Sequence, residues 1–205
     1  MRLLIMRHGA TRGNELRRYA GRRTDEPLSD EGRAQCERAG ADIRVTRVYA
    51  SPMRRAVQTA RLCFPRAHLR LVEDLAEFDF GAFEGRCADE LWNDAAYRSW
   101  VEGGCRQRCP GGESMESFVE RTADALKSAL LEASRSGESR VAVVAHGGTV
   151  MAAMCRFAAG ARGLDSYFDW HVQNCGGYVM DVRTEGTLIE FGNPQRIKDV
   201  RSLPW

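Results

Sequence analysis

The stretch Val141-Ala142-Val143-Val144-Ala145, followed directly by His146-Gly147-Gly148, decides the fold of this 205-residue chain. Five consecutive apolar residues without polar alternation are typical of a strand covered on both faces, as in the centre of a parallel sheet. A similar stretch, Leu3-Leu4-Ile5-Met6-Arg7-His8-Gly9, opens the chain. The sequence therefore predicts two buried strands that each lead into a His-Gly step.

Strand and helix patterns alternate along the rest of the chain. Besides 3–6 and 140–145, strands are predicted at residues 47–50, 69–72, 177–182 and 187–191. Four helices are expected. One begins after Ser29 as its N-cap, one has Pro52 at its first position, one covers 114–133, and one runs from Gly148 to Phe157. This order predicts an α/β three-layer sandwich, with a mostly parallel central sheet and helices on both faces.

Composition places the chain among ordinary globular proteins. Hydrophobic residues make up 43% and charged residues 28%, and the formal net charge is +2. This charge gives no case for a nucleic-acid partner. Residues 3–6 form the only apolar run near the N-terminus and are too few for a signal peptide or a spanning helix, so we expect a cytoplasmic protein without a membrane partner. The sequence leaves the oligomeric state open.

The chain reads as one domain over 1–205, with a lid-like helical and loop excursion around 87–112. That segment carries three aromatic residues and several Gly and Pro breaks. The seven cysteines form no CxxC pair, so we expect reduced thiols, several of them buried as small apolar side chains. The His and Cys spacings fit no zinc pattern, and neither a metal nor a cofactor is expected.

The two His-Gly steps are the first indication of chemistry. His8 and His146 each follow a predicted buried strand, and the carboxyl ends of parallel strands in open α/β sheets are where ligands bind. If the two strands are neighbours, both imidazoles lie at one place. The other two histidines, His68 and His171, lack this context and are expected to be structural.

Arginines accompany the histidines at the predicted strand ends. Arg7 precedes His8, and Arg54-Arg55 follows the strand at 47–50. A guanidinium group can donate two parallel hydrogen bonds to a tetrahedral anion such as phosphate. A further cluster is either a solvated loop or a means of gathering anionic substrates, and both interpretations stay open: Arg17, Arg18, Arg22 and Arg23.

Six motifs then occur in the order of a known family. They are Leu4-Ile5-Met6-Arg7-His8-Gly9-Ala10-Thr11 with Asn14, Gly21 with Pro27-Leu28-Ser29-Asp30-Glu31-Gly32, Ala50-Ser51-Pro52-Met53-Arg54-Arg55-Ala56-Val57-Gln58-Thr59-Ala60, Leu75-Ala76-Glu77-Phe78-Asp79-Phe80-Gly81-Ala82-Phe83-Glu84-Gly85, Pro110-Gly111-Gly112-Glu113-Ser114 and Ala145-His146-Gly147-Gly148. With this set the chain resembles the histidine phosphatase superfamily, which includes phosphoglycerate mutases. Its pattern is most similar to the small phosphatase or α-ribazole phosphatase branch.

The resemblance implies roles at matching positions. His8 would be the nucleophile that forms a phosphohistidine, and Glu77 the general acid for the leaving oxygen. The residues in contact with phosphate would be Arg7, Asn14, Gly21, Arg55, His146 and Gly147, of which Arg7, Arg55 and His146 also act in catalysis. Arg55 rather than Arg54 matches the motif. One departure is that residues 21–25 look one residue longer than the family pattern.

The resemblance thus implies a metal-independent phosphatase, with a small phosphorylated metabolite as its partner. Two alternatives remain. A phosphoglycerate mutase would return the phosphoryl group to its substrate, but such mutases usually carry a longer, basic lid between the positions of Glu77 and His146. A non-catalytic phosphate-binding module would keep the pocket alone, although relatives of that kind lose the nucleophile or the acid, and both are present here.

Overall fold

A computed structural model of the protein describes residues 1–201 and residue 203. Its centre is a six-stranded sheet in the order β3-β2-β4-β1-β5-β6. The strands are β1 (Arg2–Arg7), β2 (Arg47–Ala50), β3 (His68–Leu71), β4 (Arg140–Ala145), β5 (Gly177–Glu185) and β6 (Leu188–Ile197). Strands β1 to β4 are parallel, whereas β5 runs antiparallel to both β1 and β6. The predicted mostly parallel sheet is confirmed.

Helices cover both faces of the sheet, as the prediction required. The helices are α1 (Arg12–Glu15), α2 (Asp30–Ala39), α3 (Arg54–Cys63), α4 (Ala88–Leu91), α5 (Ala95–Glu102), α6 (Met115–Arg135) and α7 (Gly147–Phe157). Leu3 and Ile5 of β1 pack in one core with α6 and α7, while Leu4 and Met6 pack in a second core with α2 and α3. Successive strand residues point to opposite faces, so a continuous apolar run was needed at the sheet centre.

Capping residues fix where the main helices begin. Ser29 accepts a hydrogen bond from the Gly32 N–H at 3.1 Å, which confirms it as the N-cap of α2. Ser114 caps α6 in the same way through the N–H of Ser117. None of the helices formed by the described residues combines the length and the hydropathy of a membrane-spanning segment.

Three predicted boundaries are corrected. The helix expected to hold Pro52 at its first position begins at Arg54, because Pro52 lies in a bend in which the N–H of Met53 donates to Ser51 Oγ at 3.3 Å. Strand β3 is displaced by one residue from the predicted 69–72. Strand β6 continues to Ile197, six residues beyond the prediction, because it pairs along the whole length of β5.

The segment 87–112 contains α4 and α5 and contributes to a third core. Asp94 caps α5 by accepting from the backbone N–H groups of Ala96 and Tyr97. Tyr97 and Trp100 are buried against Phe83. All seven cysteines are free thiols, and five of them are buried.

Helix α2 supports the loop that follows His8. The N–H of Ser29 donates to the Ala10 carbonyl oxygen at 3.0 Å. A Cβ at Gly32 would lie only 1.9 Å from the same oxygen, so no side chain fits unless the loop moves. Gly32 therefore permits the close approach of α2 to the chain beside the predicted site.

We predict that Gly32→Ala lowers the free energy of unfolding by about 1–3 kcal/mol, because the added methyl group overpacks a backbone contact. Helix propensity alone would change the stability by about 1 kcal/mol in the opposite direction. Urea denaturation measures the sign of the change. Arg33→Ala, at an exposed position of the same helix, is the matched control, and a stabilised Gly32→Ala protein would contradict the prediction.

Candidate active site

The two histidines lie side by side because their strands do. Arg7 at the end of β1 pairs with Ala145 at the end of β4, and the N–H of His8 donates to the Ala145 carbonyl at 2.9 Å. His146 follows as the N-cap of α7. The two imidazole ring centroids are 5.1 Å apart, with the ring planes at 67°.

Arg55 connects the two imidazoles. Its Nε lies 3.2 Å from His8 Nε2 and 3.2 Å from His146 Nδ1. The other guanidinium nitrogens donate to backbone carbonyl oxygens of Ala20, Gly21 and Thr24, at 2.5–3.2 Å. Arg55 is fully buried, whereas its neighbour Arg54 is exposed, so the structure places Arg55 in the site. Arginine keeps its charge in proteins, and the site therefore holds a fixed cation.

Hydrogen bonds define the tautomer of His8. Its Nδ1 lies 2.6 Å from the carbonyl oxygen of Gly9, which can only accept, so Nδ1 carries the proton. The Nε2 atom therefore carries no proton, and its electron pair accepts a hydrogen bond from Arg55 Nε. By the same reasoning His146 accepts from Arg55 through Nδ1 and donates through Nε2 to Ser51 Oγ at 2.7 Å.

Burial and positive charge both favour neutral imidazoles. Burial lowers the pKa of His8 well below its usual value, and the charges of Arg55 and Arg7 lower it further. Burial, followed by the charge of Arg55, also lowers the pKa of His146. Both side chains are therefore neutral near pH 7, and His8 Nε2 is able to act as a nucleophile.

Arg7 brings a second cation to the site. One of its terminal nitrogens donates to the Val172 carbonyl at 3.2 Å. Its buried Nε has no hydrogen-bond partner among the described residues, and a Cβ added at Gly147 would lie 3.5 Å from that atom. Buried donors in folded proteins are nearly always paired, so this N–H is available to an acceptor on a ligand.

Glu77 approaches the site from the chain that follows a 3-10 turn, Glu73–Leu75. Its carboxyl oxygens accept from the N–H groups of Phe78 at 2.8 Å and Gly148 at 3.0 Å. A Cβ at Gly148 would lie 2.3 Å from Glu77 Oε1, so glycine is required for this approach. Burial raises the pKa of Glu77, and this effect exceeds the opposing effects of the hydrogen bonds and of Arg55 and Arg7.

Asn14 and Gly21 occupy supporting positions. Asn14 Oδ1 accepts from the backbone N–H of Thr11 and from Asn174 Nδ2, at 3.2 and 3.1 Å. Gly21, expected to contact phosphate, has its N–H bonded to Glu84 at 3.0 Å. In this structure Gly21 therefore serves the site through the carbonyl group that holds Arg55.

Two residues that hold the site together were given no role by the sequence patterns. Asn174 Nδ2 donates to the His8 carbonyl at 3.0 Å, and Thr59 Oγ1 accepts from the Gly9 N–H at 3.0 Å. Thr59 lies one helical turn after Arg55 and donates to its carbonyl, a spacing that could have pointed to it. Asn174 lies in an irregular stretch, where no periodicity indicates which side chains turn inward.

The arginine cluster divides into two pairs. Arg18 forms an ion pair with Glu90 and Arg23 one with Asp79, at 2.9 and 2.8 Å. Arg17 and Arg22 are exposed, and Arg17 lines a polar pocket together with Arg7 and Asn14. His68 and His171, expected to be structural, are exposed outside the centre formed by Arg55.

The site thus unites a neutral imidazole nitrogen, the buried guanidinium group of Arg55, the half-buried one of Arg7 and a carboxyl group with a raised pKa. Such a set can bind a tetrahedral anion, attack it with nitrogen and protonate a departing oxygen. Among the described residues, no three His, Cys, Asp or Glu side chains are grouped as ligands of a metal ion would be.

Comparisons with known proteins identify the family. Residues 3–194 match the model of the histidine phosphatase superfamily, branch 1. An acid phosphatase of Mycobacterium tuberculosis is 31% identical over 204 residues, which cover 96% of each chain. A protein named "Probable phosphoglycerate mutase GpmB", of Erwinia tasmaniensis, is 33% identical over 156 residues, covering 72% of this chain and 70% of its own.

The fold agrees as well. The crystal structure of an α-ribazole phosphatase from Shigella flexneri superposes with a TM-score of 0.82, covering 97% of this chain and 98% of its own. At 22% identity this likeness concerns the fold alone. Since the family match extends over nearly the whole length and the relatives include phosphatases, this chain belongs to the histidine phosphatase superfamily.

Proposed function

We propose that the protein is a phosphatase that hydrolyses small phosphomonoesters through a phosphohistidine on His8, without a metal ion. One observation carries the proposal. The unprotonated Nε2 atom of His8 faces a buried guanidinium group, because Nδ1 carries the ring proton and donates a hydrogen bond to the Gly9 carbonyl. A nucleophile and a phosphate-binding cation are thus adjacent and held in place before substrate binds.

In the first step His8 Nε2 attacks phosphorus and the bond to the leaving oxygen breaks. Glu77 gives its proton to that oxygen, so that an alcohol departs. The imidazole becomes positively charged, and the Gly9 carbonyl stabilises this charge through the proton on Nδ1. Arg7 and Arg55 meet the negative charge of the transferring oxygens. The negative charge of the bound phosphoryl group also favours protonation of His146, whose Nδ1 then becomes a hydrogen-bond donor.

In the second step a water molecule attacks phosphorus from the side that the alcohol has left. Glu77, now a carboxylate, takes a proton from this water as the bond between nitrogen and phosphorus breaks. Inorganic phosphate forms and His8 returns to its neutral state. Dividing the displacement into two steps lowers the barrier of a reaction that is among the slowest known without a catalyst.

A mutase is the second candidate, supported by the relative that carries a phosphoglycerate mutase name. A mutase must keep its intermediate away from water while the phosphoryl group is returned. The segment 87–112, which would have to provide this cover, contributes Trp100 and Cys105 and no cationic side chain to the apolar pocket beside Glu77. A dianionic intermediate would be poorly held by such a surface, and this favours hydrolysis.

We predict that His8→Ala lowers kcat/KM for a phosphomonoester by at least about 10³-fold, because the nucleophile is lost. Phosphate release measures the effect, and a rapid alkaline quench of the wild-type protein should show phosphate bound to His8. The matched control is His68→Ala on the exposed edge strand β3, which should keep wild-type activity. A His8→Ala protein that still binds its ligand and retains its biological function would instead identify a binding module.

We predict a bell-shaped pH dependence of kcat/KM. On the acid side the rate falls as His8 gains a proton. This limb lies below pH 6.5, the ordinary value for histidine, because the pKa of His8 is lowered. On the alkaline side the rate falls as Glu77 loses its proton. This limb lies above pH 4.5, the ordinary value for glutamate, because the pKa of Glu77 is raised. Glu77→Gln should cost about 10²–10⁴-fold and lack the alkaline limb, so that the ratio of wild-type to variant rates falls as Glu77 of the wild type loses its proton.

Both proteins are measured with the same alkyl ester. The ionisation of the substrate then affects both rates equally and cancels in their ratio. Glu116→Gln, at an exposed position in the first turn of α6, is the control and should leave the profile unchanged. If the alkaline limb persisted in Glu77→Gln, another group would have to be the acid.

We predict that a panel of monoesters that includes 3-phosphoglycerate yields inorganic phosphate in EDTA at the rate seen without chelator. Two arginines supply the charge that a metal would otherwise provide. No 2-phosphoglycerate should form, with or without the bisphosphate. Strict metal dependence would overturn the proposed mechanism, and interconversion of the two phosphoglycerates would establish the mutase instead.

A further inference from the structure

An apolar cleft of about 230 Å³ opens beside Glu77. Glu77 and Gly148, which are joined by a hydrogen bond, form one end of it. Arg7 and Asn14 line a different pocket, so the cleft lies on the Glu77 side of the site rather than on the Arg7 side. A group attached to the oxygen that Glu77 protonates would enter this cleft.

Aromatic rings form most of the cleft wall. Tyr19, Phe80 and Trp100 surround one side, with ring centroids 4.9–6.3 Å apart. Tyr167 and Phe168 also line the cleft, with centroids 5.1 Å apart. Phe168 is 58% exposed, which leaves a large apolar surface in contact with solvent.

The polar atoms of these side chains already have partners within the protein. The Tyr19 hydroxyl is 2.8 Å from that of Tyr97, and Trp100 Nε1 donates to the Gln107 carbonyl at 3.1 Å. The Tyr167 hydroxyl donates to the Gly148 carbonyl at 3.3 Å. A polar ligand would lose water in the cleft and gain few hydrogen bonds in return.

The charges of the cleft also disfavour anions. Among the described residues that line it, none is Arg, Lys or His, and Glu77 is the one carboxylic acid. The polar pocket across the site, by contrast, contains Arg7, Arg17 and Arg18. An anionic leaving group placed in the cleft would therefore meet no compensating charge.

The size of the cleft suits a ring. An apolar cavity of about 150 Å³ in another protein binds benzene. The cleft here is larger and open at Phe168, so it has room for one ring with a short linker to the phosphate. Aromatic walls favour a flat ring over a branched chain, because rings pack against one another edge to face or offset.

The geometry points to a leaving-group site for alcohols that carry a flat apolar ring and no second negative charge. The residues that select them are Phe80, Trp100 and Phe168. This inference rests on the proposed function, since the cleft receives a leaving group only when His8 takes the phosphoryl group.

Three esters of primary alcohols test the inference, because their leaving oxygens have similar intrinsic reactivity. They are phenethyl phosphate, n-propyl phosphate and the phosphate of β-hydroxypropionate. We expect kcat/KM for the phenethyl ester to exceed that for the propyl ester by at least about tenfold, and the carboxylate ester to be the poorest. Phe168→Ala should lower the phenethyl-to-propyl ratio by about threefold or more.

Trp92→Ala is the control, since Trp92 is another exposed aromatic residue, 60% accessible, outside the cleft. It should leave the ratio unchanged. Equal kcat/KM for the phenethyl and propyl esters, or an equal fall of the ratio in both variants, would overturn the inference while leaving the phosphatase proposal intact.

Failure of all three esters to react would count against the proposed function. The cleft is then tested by calorimetry with phenethylphosphonate and propylphosphonate, which cannot be hydrolysed. Tighter binding of the phenethyl compound, by about tenfold, would support a ring-binding cleft, and equal dissociation constants would refute it.

Discussion

The buried guanidinium group of Arg55 joins two strand ends and one loop. It donates to an imidazole nitrogen on each side and to carbonyl groups between Ala20 and Thr24. A charge removed from water is costly unless its donors are paired. The ends of β1 and β4 and the 20–24 loop must therefore be in place together, and this requirement gives the site a defined shape before any ligand binds.

The same environment prepares the reacting groups in opposite ways. Burial and the nearby cations disfavour the charged form of His8, whereas burial favours the protonated form of Glu77. The two shifts thus favour a base without a proton and an acid with one, whereas the usual pKa values give the reverse at mildly acid pH. One desolvated pocket can assign both roles because imidazole is charged when protonated and a carboxyl group is charged when deprotonated.

Much of this arrangement could be predicted from the sequence. Apolar runs at the sheet centre identified β1 and β4, and the His-Gly steps after them located His8 and His146. Other features depend on contacts between distant parts of the chain. The bend at Pro52 is tied to Ser51, which binds His146, and Asn174 reaches His8 from an irregular stretch. The cleft beside Glu77 combines residues as distant as Tyr19 and Phe168, and no local pattern predicts such a meeting.

The pairing of β1 with β4 has a consequence for the synthesis of the protein. Residue 2 lies opposite residue 140, and all the helices from α1 to α6 lie between the two strands along the chain. Closing so long a loop is slow and yields contacts only at the end. During synthesis His8 is therefore made 138 residues before His146, and the two imidazoles can meet only after the intervening helices have been made.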